Sequence, residues 1–239
     1  MKAIISFYQS SIGKKWIVAL TGLVLVGFVT GHMIGNLQLF LGPEALNKYA
    51  EFLQGLGELL WVIRGFMAAC LIVHILTTVT LWIQNKTAAP QFGLNKYAVN
   101  NPQAATISAK TMIFGGLIVF CFLAYHILHF TTLSLNPEWA EWMDDDGRHD
   151  VYSMVIMGFR NPLTTTFYLV GLFFLCLHLS HGIQSFIQTL GVRSRKIAQP
   201  ISTASPYLAA LIYLGYASMP IAVLLAYQLK LSFLQPLSH

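Results

Sequence analysis

Six of the chain's eight histidines stand inside long apolar runs: His32, His74, His126, His129, His178 and His181. An imidazole at such depth has no water for its ring nitrogens and needs a partner within the fold, either a metal or another buried polar group. Neutral imidazole is a common metal ligand, and an unligated one can carry protons. Metal coordination and proton relay are therefore the chemistries these residues offer. The densest stretch is residues 172–186, LFFLCLHLSHGIQSF, with His178 and His181 three residues apart; CFLAYHILHF repeats that spacing with His126 and His129.

What must position them follows from composition. With 56% hydrophobic and 10% charged residues in 239, the chain has far too little charge for a soluble globule, where about 25% is usual. Five runs, at 16–41, 59–83, 111–135, 162–190 and 206–229, reach the roughly 20 residues of helix that cross a bilayer core of about 30 Å. Backbone polar groups in lipid must be satisfied within the segment, and the alternating pattern of a barrel is missing, so the runs are read as helices. The expectation is an all-α, five-helix integral membrane bundle forming one domain over residues 1–239. The basic N-terminus precedes an apolar run too long for a signal peptide and lacks a small-residue cleavage site, so it is expected to stay attached. Pro206 is expected to open the fifth helix and Pro220 to kink it. A helical, interfacial segment is expected from Pro43, and the most acidic stretch, 136–161, is expected to be an outer loop closed by Asn161-Pro162. Gly27, Gly31 and Gly35, at four-residue spacing beside His32, would let a helix or a flat ring approach the first helix closely.

Depth along the helices sorts the histidines. Lys15 to His32 is 17 residues and Lys110 to His126 is 16; at 1.5 Å per residue both lie about 25 Å from one face. Glu58 to His74 is 16 and Arg160 to His178 is 18, which places this pair about 25 Å from the other face. Two bis-histidine sites stacked across the membrane are expected, His32 with His126 at the outer level and His74 with His178 at the inner one. Paired imidazoles of this kind are axial ligands for two haems; no CxxCH motif is present, so attachment would be non-covalent. His129 and His181 are one turn off level and are left for a haem propionate, a quinone or a carbonyl. Cys70, Cys121 and Cys176 all fall within spans and are expected to act as small buried hydrophobes without a disulfide.

Charge sets the orientation. The segments before the first span, between the second and third and between the fourth and fifth hold nine basic residues and no acid; the opposite side holds four basic residues and all nine acids. The positive-inside bias then puts the N-terminus in the cytoplasm and the C-terminus outside. The net charge of +5 is a topology signal and does not point to nucleic acid.

FYQSSIGKKW before the first span, TGHMIGN within it, His74 in the second, AYHILHF in the third and LHLSHGIQSF in the fourth together resemble the cytochrome b subunit of succinate dehydrogenases and fumarate reductases, in its single-subunit, five-helix, two-haem form. The resemblance covers nearly the whole chain. It implies an anchor in the cytoplasmic membrane of a prokaryote that binds a flavoprotein subunit and an iron–sulfur subunit. That anchor passes electrons between their clusters, two b haems and a quinone, menaquinone by the same resemblance. It implies haem ligands at His32, His74, His126 and His178, the four that the depth count selects. It also implies a quinone-linked carboxylate at the outer end of the second-helix region, for which Glu51 and Glu58 are candidates, with Arg64 a further candidate contact for quinone or propionate. Some members carry a glutamate two residues before the fourth-helix histidine for proton transfer; here that position is Cys176. The inner face, with Lys14, Lys15, Lys96, Arg193, Arg195 and Lys196, is the expected docking surface for the soluble subunits. Loops of this size cannot build a site for dicarboxylate chemistry, so the chain is expected to transfer electrons and leave bond-making to its partners. Two other readings stay open: an anchor for another respiratory dehydrogenase, such as a hydrogenase or nitrate reductase, and a haem-free histidine-relay transporter.

Overall fold

In a computed structural model, which describes residues 7–91, 112–189, 191 and 194–237, the chain is an all-α bundle. The α-helices are α1 (Ser11–Asn36), α2 (Pro43–Gln54), α3 (Glu58–Gln91), α4 (Met112–Phe130), α5 (Val151–Phe159), α6 (Pro162–Thr189) and α7 (Arg195–Gln228), with short 3₁₀ turns at Leu37–Leu41 and Pro137–Glu141. Five of them, α1, α3, α4, α6 and α7, are long and apolar enough to cross a membrane. The chain is therefore a multi-pass membrane protein whose flanks meet lipid through residues such as Leu23, Phe66, Phe114 and Leu214. Residues 92–111, including Lys96, Lys110 and Asn100-Asn101-Pro102, lie outside the described residues, as do Lys2 and Arg193; of Lys86 and Arg195 the backbone alone is described.

Helix ends follow local chemistry. Ser10 caps α1, its hydroxyl accepting from the Gly13 N–H at 2.9 Å. α2 begins at Pro43 after Gly42, which takes φ +101, a conformation open to glycine. The third span ends at Phe130 and not near 135: Thr131 and Thr132 both donate their N–H to the Ile127 carbonyl, and Leu133 turns the chain at φ +53. The fifth span departs further from expectation. α7 starts at Arg195 and runs through Pro200 and Pro206. Pro206 has no N–H for the Ser202 carbonyl four residues back. That oxygen accepts instead from the Ser205 hydroxyl at 3.1 Å and from the Gln184 amide of α6 at 3.4 Å, so the neighbouring helix supplies what the proline withholds.

α6 packs on α4 and α7, α1 packs on α3, and α1 touches α6 and α7. In lipid the drive for such packing is van der Waals contact over small residues. Gly171 lies under the Phe122 ring, Gly215 under the Met33 thioether, and Gly35 under the Tyr49 ring, so a Cβ at any of them would collide. Gly27 and Gly31 face open space within 4 Å, so of the expected glycine stripe Gly35 alone serves helix packing.

The stretch 136–161, expected as an outer loop, is more than a loop. α5 is almost wholly buried, with Ile156 at 0% exposure and Tyr152, Met154, Val155 and Phe159 around it, and it joins Leu39, Leu46, Trp139 and Val223 in one apolar cluster. Asp150 caps α5 by accepting from the Ser153 N–H at 3.0 Å. Buried Asn47 of α2 completes the arrangement: its amide donates to Asp150 at 3.0 Å and Asp144 at 3.1 Å, and its carbonyl accepts from the Tyr152 N–H at 2.9 Å. The sequence shows this stretch as acidic; its burial comes from α2 folding over it.

Candidate functional site

The four level histidines meet in two pairs. His32 of α1 faces His126 of α4 with ring centres 5.9 Å apart and planes at 77°. His74 of α3 faces His178 of α6 at 6.2 Å and 63°. Neither α1 with α4 nor α3 with α6 is among the closely packed helix pairs, so both imidazole pairs reach across gaps in the bundle. A metal–imidazole bond is about 2.0–2.1 Å. Two imidazoles on opposite sides of one metal therefore place their ligating nitrogens about 4 Å apart and their ring centres a little over 6 Å apart. At 5.9 and 6.2 Å the two pairs come close to that separation.

At the His74–His178 level the Thr21 hydroxyl donates to the Ile17 carbonyl at 2.7 Å and lies 3.1 Å from His74 Nδ1. With its proton committed, Thr21 accepts from Nδ1–H, and the His74 Nε2 lone pair is left for a metal. Gly22, the next residue, lets that ring lie against α1: a Cβ there would stand 3.3 Å from it. His178 Nδ1 and His181 Nδ1 are buried with no hydrogen-bond partner among the described residues, a cost that ligation or a further polar group would remove.

At the His32–His126 level Tyr168 of α6 bridges two histidines, its hydroxyl 3.3 Å from His126 Nδ1 and 3.1 Å from His129 Nδ1. A phenol has one proton to give, so one ring donates to Tyr168 and the other accepts from it. With His126 as donor its Nε2 lone pair remains for a metal, and His129 becomes the acceptor. His129 is 4% exposed and enclosed by Phe130, Trp139 and Tyr125. His32 stacks on Phe28 at 5.5 Å, and the Asn36 amide donates to the His32 carbonyl at 2.7 Å and lies within 3.3 Å of both ring nitrogens.

Each level thus offers two imidazoles, and among the described residues no group of three or more His, Cys, Asp and Glu side chains stands close enough to hold a bare ion. A bare zinc-like ion takes three or four protein donors. A facing pair fits a metal whose equatorial positions are filled by a macrocycle. On donor type, separation and the gap between helices, the residues present fit two haems.

The remaining candidates lie elsewhere. Glu51 and Glu58 are exposed at the end of α2 and the start of α3, and Arg64 is exposed with its guanidinium 4.9 Å from the Trp61 ring centre. Cys176 is buried with Leu179, Ala209 and Ile212, while Cys70 is half-buried and Cys121 is exposed on α4, contrary to the burial expected of all three. Lys14 was expected on the docking face, but it is 4% exposed. Sequence reasoning missed Tyr168 and Thr21. Both are polar residues in apolar runs, the signal that singled out the histidines, but their partners sit on other helices.

At the end of the bundle that carries α2 and α5, Arg148 joins Glu44 at 2.6 Å, Asp144 at 2.8 Å and Asp146 at 2.9 Å. The hydrogen bond from Arg148 holds the Glu44 carboxyl below its usual range. Burial pushes the Asp144 carboxyl up, but the backbone N–H and guanidinium of Arg148 and the Asn47 amide outweigh it and leave the net shift downward. The same carboxylates raise the Arg148 guanidinium, led by its hydrogen bond to Glu44.

No family model, curated protein or solved structure matches this chain.

Proposed function

We propose that the chain is a di-haem cytochrome b membrane anchor of a succinate:quinone oxidoreductase, standing between a membrane quinone and the iron–sulfur subunit of a partner flavoprotein assembly. The single observation that supports the reading most is the two imidazole pairs on four different helices, 5.9 and 6.2 Å apart. When bound, two haems at these levels would supply one-electron carriers stacked across the bilayer. The chain's own residues hold and orient: His32 and His126 for the outer group, His74 and His178 for the inner, with Thr21 and Tyr168 setting which ring nitrogen is free. The lipid-facing spans exclude water from both levels. The basic inner face, Lys15 and Lys196 among its exposed residues, is proposed to dock the soluble subunits, with the N-terminus in the cytoplasm.

A reduced-minus-oxidised visible spectrum of the purified chain, with haem extraction and stoichiometry, tests this. The expected result is two non-covalent, low-spin b haems per chain. A chain that folds in its native membrane without haem would sink the reading and favour a histidine relay, for which the His126–Tyr168–His129 chain of contacts would be the starting point.

A further inference from the structure

Lys14 stands in the first turn of α1 with 4% of its surface exposed, its ammonium donating to the Gln9 carbonyl at 3.2 Å and to the Gln84 side-chain oxygen of α3 at 3.1 Å. Both acceptors are neutral. A buried cation needs a counter-charge, and the first turn of a helix, where the backbone dipole is positive, raises that need. This chain cannot meet it at that end. All nine of its acids lie within 44–58 or 138–150, and Arg148–Glu44 ties those two stretches together at the opposite end of the bundle. Leu237 is at that end too, its N–H donating to the Ser153 hydroxyl. Lys15, one residue on, is exposed, so burial sets Lys14 apart from the rest of the basic face.

We propose that Lys14, held by Gln84, is an oxyanion site at the inner end of the α1–α3 seam, taking a carboxylate or phosphate that no side chain of this protein supplies. Lys14 is too buried to meet a protein surface, so its anion has to come on a slender arm. Two molecules carry such an arm. One is a porphyrin at the His74–His178 level: Thr21, which bonds His74, is seven residues from Lys14, about 10 Å along the helix, within the combined reach of a lysine side chain and a propionate. That source rests on the proposed function; the site itself rests on the buried charge. The other is a phospholipid headgroup.

Wild type, Lys14→Gln, Lys14→Arg and Lys15→Gln are purified as full chains in detergent, and two readouts are taken: optical redox titration of each haem, and phosphorus per chain after a delipidating wash. If a propionate is the anion, the midpoint of one haem falls in Lys14→Gln, because its reduced form loses a nearby cation, and stays near wild type in Lys14→Arg and Lys15→Gln. If a phospholipid is the anion, the potentials hold and Lys14→Gln loses about one phosphate per chain. A chain without haem would end the functional reading while the phosphorus count still decides the site. Lys14→Gln at wild-type values in both readouts, or Lys15→Gln reproducing its effect, overturns the proposal. Should Lys14→Gln fail to accumulate, Gln84→Leu, which releases the ammonium without removing charge, must shift one of the two readouts, and its failure to do so is equally decisive.

Discussion

A histidine pair is useful to a metal only if each ring offers the right nitrogen. His74 has Thr21 on Nδ1 and His126 has Tyr168 there, so both present Nε2. If the chain holds the two haems proposed above, alanine at His32 or His126 is expected to remove the one at their level and alanine at His74 or His178 the other, leaving one haem per chain by extraction; full two-haem, low-spin content in any of the four would refute that residue's assignment. His129→Ala and His181→Ala are expected to keep both. The positioning hydroxyls act more gently. Tyr168→Phe and Thr21→Val are each expected to keep haem but to lower stability by about 0.5–1.5 kcal/mol, the net value of a hydrogen bond, with Tyr168→Phe at the upper end because it leaves two ring nitrogens unpaired. Thermal unfolding followed in the haem absorbance band measures both.

Between helices, shape decides. A Cβ at Gly171 meets the rigid Phe122 ring and one at Gly215 meets the end of the Met33 side chain. Gly171→Ala is therefore expected to destabilise the bundle by about 1–3 kcal/mol and Gly215→Ala by clearly less, because a thioether can change rotamer; denaturant titration in detergent separates them. At the end of the bundle that carries α5, Asn47 ties α2 to the cap of that helix. Asn47→Ala leaves the buried Asp150 carboxylate and Tyr152 N–H short of a partner and is expected to cost about 1–3 kcal/mol. The same cap has a pH dependence of fixed sign. Glu44 and Asp144 have folded-state values below the ordinary ones, so their contribution is fully present above the usual carboxylate range of about 4 and is lost as pH falls through the lowered values. Protection against hydrogen exchange at 136–161, corrected for the intrinsic exchange rate at each pH, should fall on acidification below that range in wild type and change less in Arg148→Ala; an unchanged pH response in that variant would show that the arginine is not the cause.

Across the whole molecule, two stacked redox levels between an outer quinone site and inner clusters would carry charge through the bilayer, and each charge is worth roughly 2.3 kcal/mol per 100 mV. A compensating proton would need ionisable groups at intervals along a helix. Cys176, where the resemblance would place a glutamate, is instead packed among apolar side chains. Turnover with an outer-site quinol is therefore expected to be electrogenic. Vesicles carrying the assembled complex and a potential-sensitive dye should respond; no dye signal, with turnover insensitive to an imposed potential, would reveal a proton path and an electroneutral cycle.

Hydrophobic run length and the scarcity of charge determined by themselves that the chain is a five-span helical membrane protein, because a helix in lipid must satisfy its own backbone and the sequence shows where it can. The pairing of His32 with His126 and of His74 with His178 was legible too, since rise per residue turns a count into a depth. Depth is one coordinate. What a side chain faces sideways depends on helices distant in sequence, and so the tertiary structure alone brought Tyr168 between His126 and His129, set Thr21 behind His74, and buried Lys14 against Gln84. The same reason carried α7 through Pro206, whose lost hydrogen bond is replaced from Gln184 of another helix. It also buried the acidic stretch around α5, because Asn47, a hundred residues away, supplies the polar contacts that make burial tolerable.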